Sequence, residues 1–177
     1  MISRSRCDNT KIVTLAPQEW QIYKNIALEA AVQEPSSFTA IYEYLEQLPK
    51  KHWMNNISEH SIQDGMKLFF AKRDLKIIGM IVAKVNDDHH APDKAIVRAL
   101  YVNKNYRKQN IASKLLMRMI SKIKNQKNVK IVSLSVGKCN LPAISFYRKH
   151  EFQIAGSDIQ IMSDGVEYEV LIMERRL

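Results

Sequence analysis

The spacing of apolar positions along the chain changes period more than once, and each change marks an element. Lys11-Ile12-Val13-Thr14-Leu15 reads as a short first strand. Pro17-Gln18-Glu19 opens a helix, because proline is tolerated in a first turn. Ile22, Ile26 and Ala30, flanked by Trp20, Tyr23 and Ala27, give that helix an apolar face that ends near Pro35. Ile41, Leu45 and Leu48 predict a second helix over 39–48, and a third, weaker one covers 52–58. From Leu68 the period becomes that of strands. Residues 68–71 and 77–85 flank Arg73-Asp74 as a hairpin, 86–93 is a polar loop, and 95–102 is the next strand. Ile111, Leu115, Met119 and Ile123, with Ala112, Leu116 and Ile120 beside them, then predict a buried helix face about four turns long. A strand over 130–136, a short helix over 142–150 and two strands, 152–162 and 166–173, around Asp164-Gly165 complete the chain. This order predicts a single α/β domain over 11–177, behind a loose tail at 1–10. Its mixed central sheet has six or seven strands, with helices on both faces.

Composition narrows the class. Of 177 residues 46% are hydrophobic and 25% charged, which fits a soluble globular domain and excludes disordered or repeat proteins. There is no apolar run of bilayer-spanning length and no secretory signal, so no membrane role is expected. Two cysteines, Cys7 and Cys139, form no disulfide framework, and a reducing cytoplasmic setting is expected. Cys139 reads as structural. The net charge of +9 suits a polyanion such as nucleic acid, an acidic membrane or a phosphorylated cofactor, or serves solubility alone, and charge by itself does not choose between these. Lys104, Arg107, Lys108, Lys114, Arg118, Lys122, Lys124 and Lys127 lie between Arg98 and Lys130 with no acidic residue among them, and Arg148, Lys149 and His150 follow. Asp87-Asp88-His89-His90 with Asp93 could hold a metal but reads as a solvated loop tip. No metal is expected.

The joint between strand 95–102 and helix 111–124 is polar and basic: Asn103-Lys104-Asn105-Tyr106-Arg107-Lys108-Gln109-Asn110. The first amides of the helix lack intrahelical acceptors, and its dipole favours an anion before them. Asn110 tolerates a positive φ, and Ala112 is small enough for close approach. Taken alone, this pattern reads as an ordinary strand–loop–helix connection whose lysines face water. The second segment, Asn140-Leu141-Pro142-Ala143-Ile144-Ser145-Phe146-Tyr147-Arg148-Lys149-His150-Glu151-Phe152, resembles the GCN5-related N-acetyltransferase (GNAT) motif N-x-x-A-x-x-F/L-Y-x-K-x-G-F. It matches at Asn140, Ala143, Phe146, Tyr147, Lys149 and Phe152. The earlier loop is similar to the same family's acetyl-CoA loop, R/Q-x-x-G-x-G/A, at Arg107 and Ala112. Asn110 and Glu151 stand where the family usually has glycine. Two motifs in order are more specific than either alone.

The resemblance implies acetyl-CoA as co-substrate and direct transfer to a primary amine. Amides of Lys108, Gln109, Asn110, Ile111, Ala112 and Ser113 would take the pyrophosphate. Arg107, Lys108, Lys114, Arg118, Arg148 and Lys149 are candidates to neutralise phosphates. Leu100, Tyr101 and Val102 would pair with the pantetheine arm and supply an oxyanion donor. Asn140 and Ala143 would sit beside that arm or cap the last helix, and Tyr147 would protonate the departing thiolate. The general base is not identified: Ile96 falls where related enzymes often carry Glu, and Glu34, Glu43, Glu167, Glu169 or a water chain ending in a backbone carbonyl are the alternatives. The acceptor is read as a small-molecule amine, with the protein a monomer or homodimer. Rival readings are a protein N-terminal or lysine acetyltransferase, a non-catalytic acyl-CoA-binding module, and a nucleic-acid binder. Tyr147 argues against the non-catalytic module. Charge clustered at one loop without interleaved aromatics argues against nucleic acid.

Overall fold

Two apolar cores, one on each face of a twisted sheet, organise the protein. A computed structural model describes residues 9–40, 42–58, 65–85, 93–126 and 128–177. The strands are β1 (Lys11–Val13), β2 (Met66–Arg73), β3 (Lys76–Val85), β4 (Lys94–Val102), β5 (Ile131–Gly137), β6 (Gln153–Ile161) and β7 (Glu167–Arg176). The helices are α1 (Trp20–Gln33), α2 (Tyr42–Gln47), α3 (Lys50–Ile57), α4 (Ile111–Lys124) and α5 (Leu141–Lys149). The sheet order is β1-β2-β3-β4-β5-β7-β6, antiparallel throughout except for the β4–β5 pair.

The strongest periodic segment of the sequence becomes α4. Its residues Ile111, Leu115, Leu116, Met119, Ile120 and Ile123 are all buried against β2, β3 and β4. Burying side chains of this size contributes about 1.5–3 kcal/mol each, which makes α4 a principal element of the core. The opposite face is covered by α1 and α3. There Trp53 and Phe70 enclose Tyr23, whose ring meets both edge-on. The predicted layering, with helices on both faces, is therefore the one observed.

Differences from the sequence reading are local. The helix expected over 39–48 is only the six-residue α2; none of its residues is fully buried, although Leu45, with Leu48 beyond it, packs partly buried against the second core. The helix expected from Pro17 begins as a 3₁₀ turn over Pro17–Glu19 before α1. Thr10, assigned to the tail, is buried and accepts hydrogen bonds from Arg73. Cys139 is exposed in the β5–α5 turn, so its structural reading fails for want of packing. Cys7 and the Asp87–His90 tip lie outside the described residues.

The β4–β5 pair positions the site. The strands are parallel partners only over Lys94–Val97 and Ile131–Leu134. Beyond Val97 they part. On the other edge of β4 the register with β3 jumps from Val82↔Ala99 to Ala83↔Val97, leaving Arg98 as an extra residue. Such a bulge bends its strand and raises the local twist. The bend swings the carboxyl end of β4 away from β5 and opens the sheet.

Candidate active site

The gap between the diverging strands is a cleft of about 710 Å³. Its walls are Ile96–Val102 of β4 and Leu134–Gly137 of β5. One end is lined by Arg107, Lys108 and Ala112, with Glu34 beside Arg107, the floor by Asn140, Ala143, Phe146 and Tyr147, and the far end by Ser37, Phe38, Thr39, Gln160 and Met162.

The Asn103 N–H donates to the Ile78 carbonyl at 2.9 Å. Backbone groups of successive strand residues point to opposite edges. Tyr101 and Asn103 therefore turn theirs to β3, whereas Leu100 and Val102 turn theirs into the cleft. Arg107 Nε, donating to the Val102 carbonyl at 2.9 Å, agrees with this direction. Gly79 lets the strands approach closely, since a Cβ there would lie 2.7 Å from the Tyr101 oxygen.

At the start of α4, a smaller cavity of about 170 Å³ is lined by Val102, Tyr106, Arg107, Lys108, Asn110, Ile111, Ala112, Ser113 and Phe146. Lys108 and Asn110 both have left-handed backbones, with φ of 60° and 61°. This turns the amides of the loop and of Ile111, Ala112 and Ser113 toward one concavity, the arrangement that binds anionic oxygens. Asn110, in place of glycine, takes the conformation glycine would supply. The Gln109 side chain points elsewhere, accepting from Arg73 at 2.7 Å.

The basic residues divide. Arg107 lines both cavities, yet its guanidinium is engaged: Nη2 donates to Glu34 Oε1 at 2.6 Å while Nε holds Val102. It ties the segment after α1 to β4. The Arg118 guanidinium lies 5.3 Å over the Phe69 ring on the β2 side. Arg148 and Lys149 are exposed at the far end of α5 and line neither cavity. Of the cations named in the sequence reading, Lys108 remains beside the concavity with its side chain uncommitted to an ion pair described here.

Asn140 caps α5: its Oδ1 accepts the Ala143 N–H at 3.2 Å. That fixes the first turn and places Phe146 and Tyr147 over the cleft. Burial pushes the Tyr147 phenol up to about 12, so it is a neutral donor at physiological pH. The helix ends in a Schellman turn, with Phe152 N–H donating to the Tyr147 carbonyl at 3.1 Å. Glu151, again in place of glycine, is left-handed with φ 67°. Arg175 from β7 grips this turn, pairing with the Glu151 carboxylate and donating to the His150 carbonyl at 3.0 Å.

Of the four carboxylates weighed as base, Glu34 alone lines the cleft; Glu169 is paired with Lys138. Ile96, also in the wall, supplies no proton acceptor. Several residues here had no sequence signal. Glu29 accepts from Tyr101 Oη at 2.7 Å and Asn103 Nδ2 at 2.6 Å, and burial, then Glu29, raises the Tyr101 phenol further still. Ser163 of the β6–β7 turn donates from its N–H to the Phe38 carbonyl at 2.7 Å and from Oγ to the Pro35 carbonyl at 2.9 Å. These bonds strap the two segments together over the far end. They join positions 128 residues apart, which no local pattern announces. Among the described residues, no group of three or more His, Cys, Asp or Glu side chains could hold a metal.

Residues 23–152 match the acetyltransferase (GNAT) family. The chain belongs to that family. It is an acetyl-CoA-dependent N-acetyltransferase. An N-alpha-acetyltransferase of Saccharolobus solfataricus is 28% identical over 113 residues, 60% of this chain and 68% of the relative. Among solved structures, the PaiA N-acetyltransferase of Thermoplasma acidophilum in complex with coenzyme A superposes with a TM-score of 0.70 at 22% identity, covering 95% of this chain and 99% of that one. An acetyltransferase-like protein of Salmonella typhimurium with its cofactor acetyl-CoA gives a TM-score of 0.78 at 13% identity, over 96% and 95%. At these identities the solved structures speak for the fold of this GNAT domain. No described helix is long and apolar enough to cross a membrane.

Proposed function

We propose that the enzyme moves an acetyl group directly from acetyl-CoA to a primary amine of a small molecule within the β4–β5 cleft. The observation that carries this reading is the splayed pair itself. It turns backbone groups of Leu100 and Val102 away from β3 and into the gap between the start of α4 and Tyr147. The group fits the residues present. Amides of 108–113, with Lys108, would hold the pyrophosphate, and the backbone of Leu100 and Val102 would hold the amide-bearing arm. When bound, acetyl-CoA supplies a thioester carbonyl open to attack by a neutral amine.

The chain's own residues then act in sequence. Water in the cleft would take the proton of the incoming ammonium, since Glu34 is held by Arg107. The Val102 or Leu100 N–H stabilises the oxyanion of the tetrahedral intermediate, where preorganised donors cost no reorganisation. Tyr147 gives its proton to the departing sulfur. A phenol near 12 is a weaker acid than a free thiol of about 8.5, but the burial that raises the phenol also raises the thiol beside it. Proton donation concerted with C–S cleavage follows.

The Ser163 strap supports the small-molecule reading, since it closes the acceptor end. A second reading, transfer to a polypeptide α-amine, is favoured by the S. solfataricus relative, an N-alpha-acetyltransferase. Thiol release from acetyl-CoA, measured over a panel of polyamines, amino acids, peptides with free N-termini and lysine peptides with blocked N-termini, separates them. Turnover confined to short amines is expected. Preference for free N-terminal peptides would establish the second reading instead.

A further inference from the structure

The guanidinium of Arg73 joins three segments that meet nowhere else in sequence. It closes the β2–β3 hairpin, beside Asp74 in the left-handed turn with φ 53°. Nε and Nη2 donate to Thr10 Oγ1 at 3.0 and 2.8 Å, Nη1 donates to Gln109 Oε1 at 2.7 Å, and the Cζ lies 5.3 Å over the Tyr106 ring. Thr10 is 8% exposed, so the anchor on the amino-terminal side is fixed. Gln109 is the residue between Lys108 and Asn110, whose left-handed backbones are disfavoured for side-chain-bearing residues. A loop in that conformation without glycine needs something outside itself to hold it. Arg73, which lines neither cavity, is placed to do so.

We propose that Arg73 is a positioning residue for acetyl-CoA, holding the 107–110 loop in its anion-binding conformation by tethering Gln109 and Tyr106 to Thr10. This rests on the cofactor site argued above. Held in place, the loop presents its amides with no ordering cost at the moment of binding; released, it pays that cost from the binding free energy.

Titration calorimetry of the full chain with CoA and with 3′-dephospho-CoA tests this. Arg73→Ala and Gln109→Ala are each expected to weaken CoA binding about tenfold, the scale of a lost charge-assisted hydrogen bond. The double variant is expected to lose little more than either single one, and Arg73→Lys, which cannot bridge three partners, to fall between. The factor is expected to be the same for dephospho-CoA. Gln109 is exposed, so its variant folds even where Arg73→Ala is destabilised. Unchanged affinity in Gln109→Ala, or additive losses in the double variant, would overturn the tether. An Arg73→Ala effect that disappears with dephospho-CoA would mean direct contact with the ribose phosphate and would overturn it too. If the unaltered protein binds neither ligand, the cofactor site itself is wrong; if it binds and the variants match it, only the Arg73 role falls.

Discussion

Three side chains carry the departures of this enzyme from its family's glycine pattern and its proposed proton donor. Tyr147→Phe keeps the ring and removes the proton, so turnover is expected to fall toward the low end of the ~10²–10⁴ span of general acid catalysis, since thiolates leave readily. CoA affinity, by calorimetry, is expected to hold. Collapse of binding would make Tyr147 a packing residue. The raised phenol has a stability consequence with a definite sign. The folded state keeps a proton that the unfolded state releases above about 10, so the contribution is full below pH 10 and fades as pH rises toward 12. Tyr23, also pushed up to about 12 by burial, acts likewise. Urea midpoints of Tyr147→Phe measured at pH 9 and pH 11 are expected to drop less between the two than those of the unaltered protein. At Glu151, glycine and alanine both lose the pairing with Arg175, and only glycine relieves the left-handed backbone. Glu151→Gly is therefore expected to exceed Glu151→Ala in stability by about 1 kcal/mol in urea melts.

The β3–β4 contact shows how an element boundary controls the site. Gly79 faces the Tyr101 oxygen at a distance that leaves no room for a methyl group, with Leu115 Cδ1 and Val102 Cγ2 each at 3.3 Å from the same point. Gly79→Ala must displace β4, and the open side of β4 is the cleft. Overpacking of this kind costs ~1–3 kcal/mol. The expected result is a lowered urea midpoint together with weakened CoA binding; a change in stability alone would show that the strand yields elsewhere. The spacing of α4 gave its buried row correctly because six apolar residues at one face leave one way to bury them. The helix predicted over 39–48 is shorter in the structure, Tyr42–Gln47, and Leu45 and Leu48 pack against the second core only partly buried.

At the scale of the whole molecule, the Ser163 strap joins the acceptor segment to the last hairpin. Ser163→Ala removes its Oγ bond to Pro35, worth ~0.5–1.5 kcal/mol for a neutral pair. The acceptor KM is expected to rise a few-fold while CoA affinity stays constant, because the strap touches only the far end of the cleft. Equal acceptor kinetics would show that the Phe38 backbone bond suffices. The net charge of +9 is spread wider than its clustering in sequence implied. Arg118 stacks on Phe69, Arg107 pairs with Glu34, and Arg148 and Lys149 lie off the cleft, so helical geometry disperses what the chain groups.

What the sequence determined by itself is what depends on neighbours within a few residues: the α4 face, the hairpin turns and the polar connection that precedes α4. Periodicity and turn chemistry act locally, so they survive in a one-dimensional reading. The depth of the cleft, the direction of the Leu100 and Val102 backbone, the engagement of Arg107, and the tethers from Arg73, Arg175 and Ser163 were decided only by tertiary structure. Each depends on a partner between 24 and 128 residues away, brought close by strand order and by the bulge at Arg98. Long-range pairing of this kind is set by which faces the cores must cover, and no local pattern encodes it.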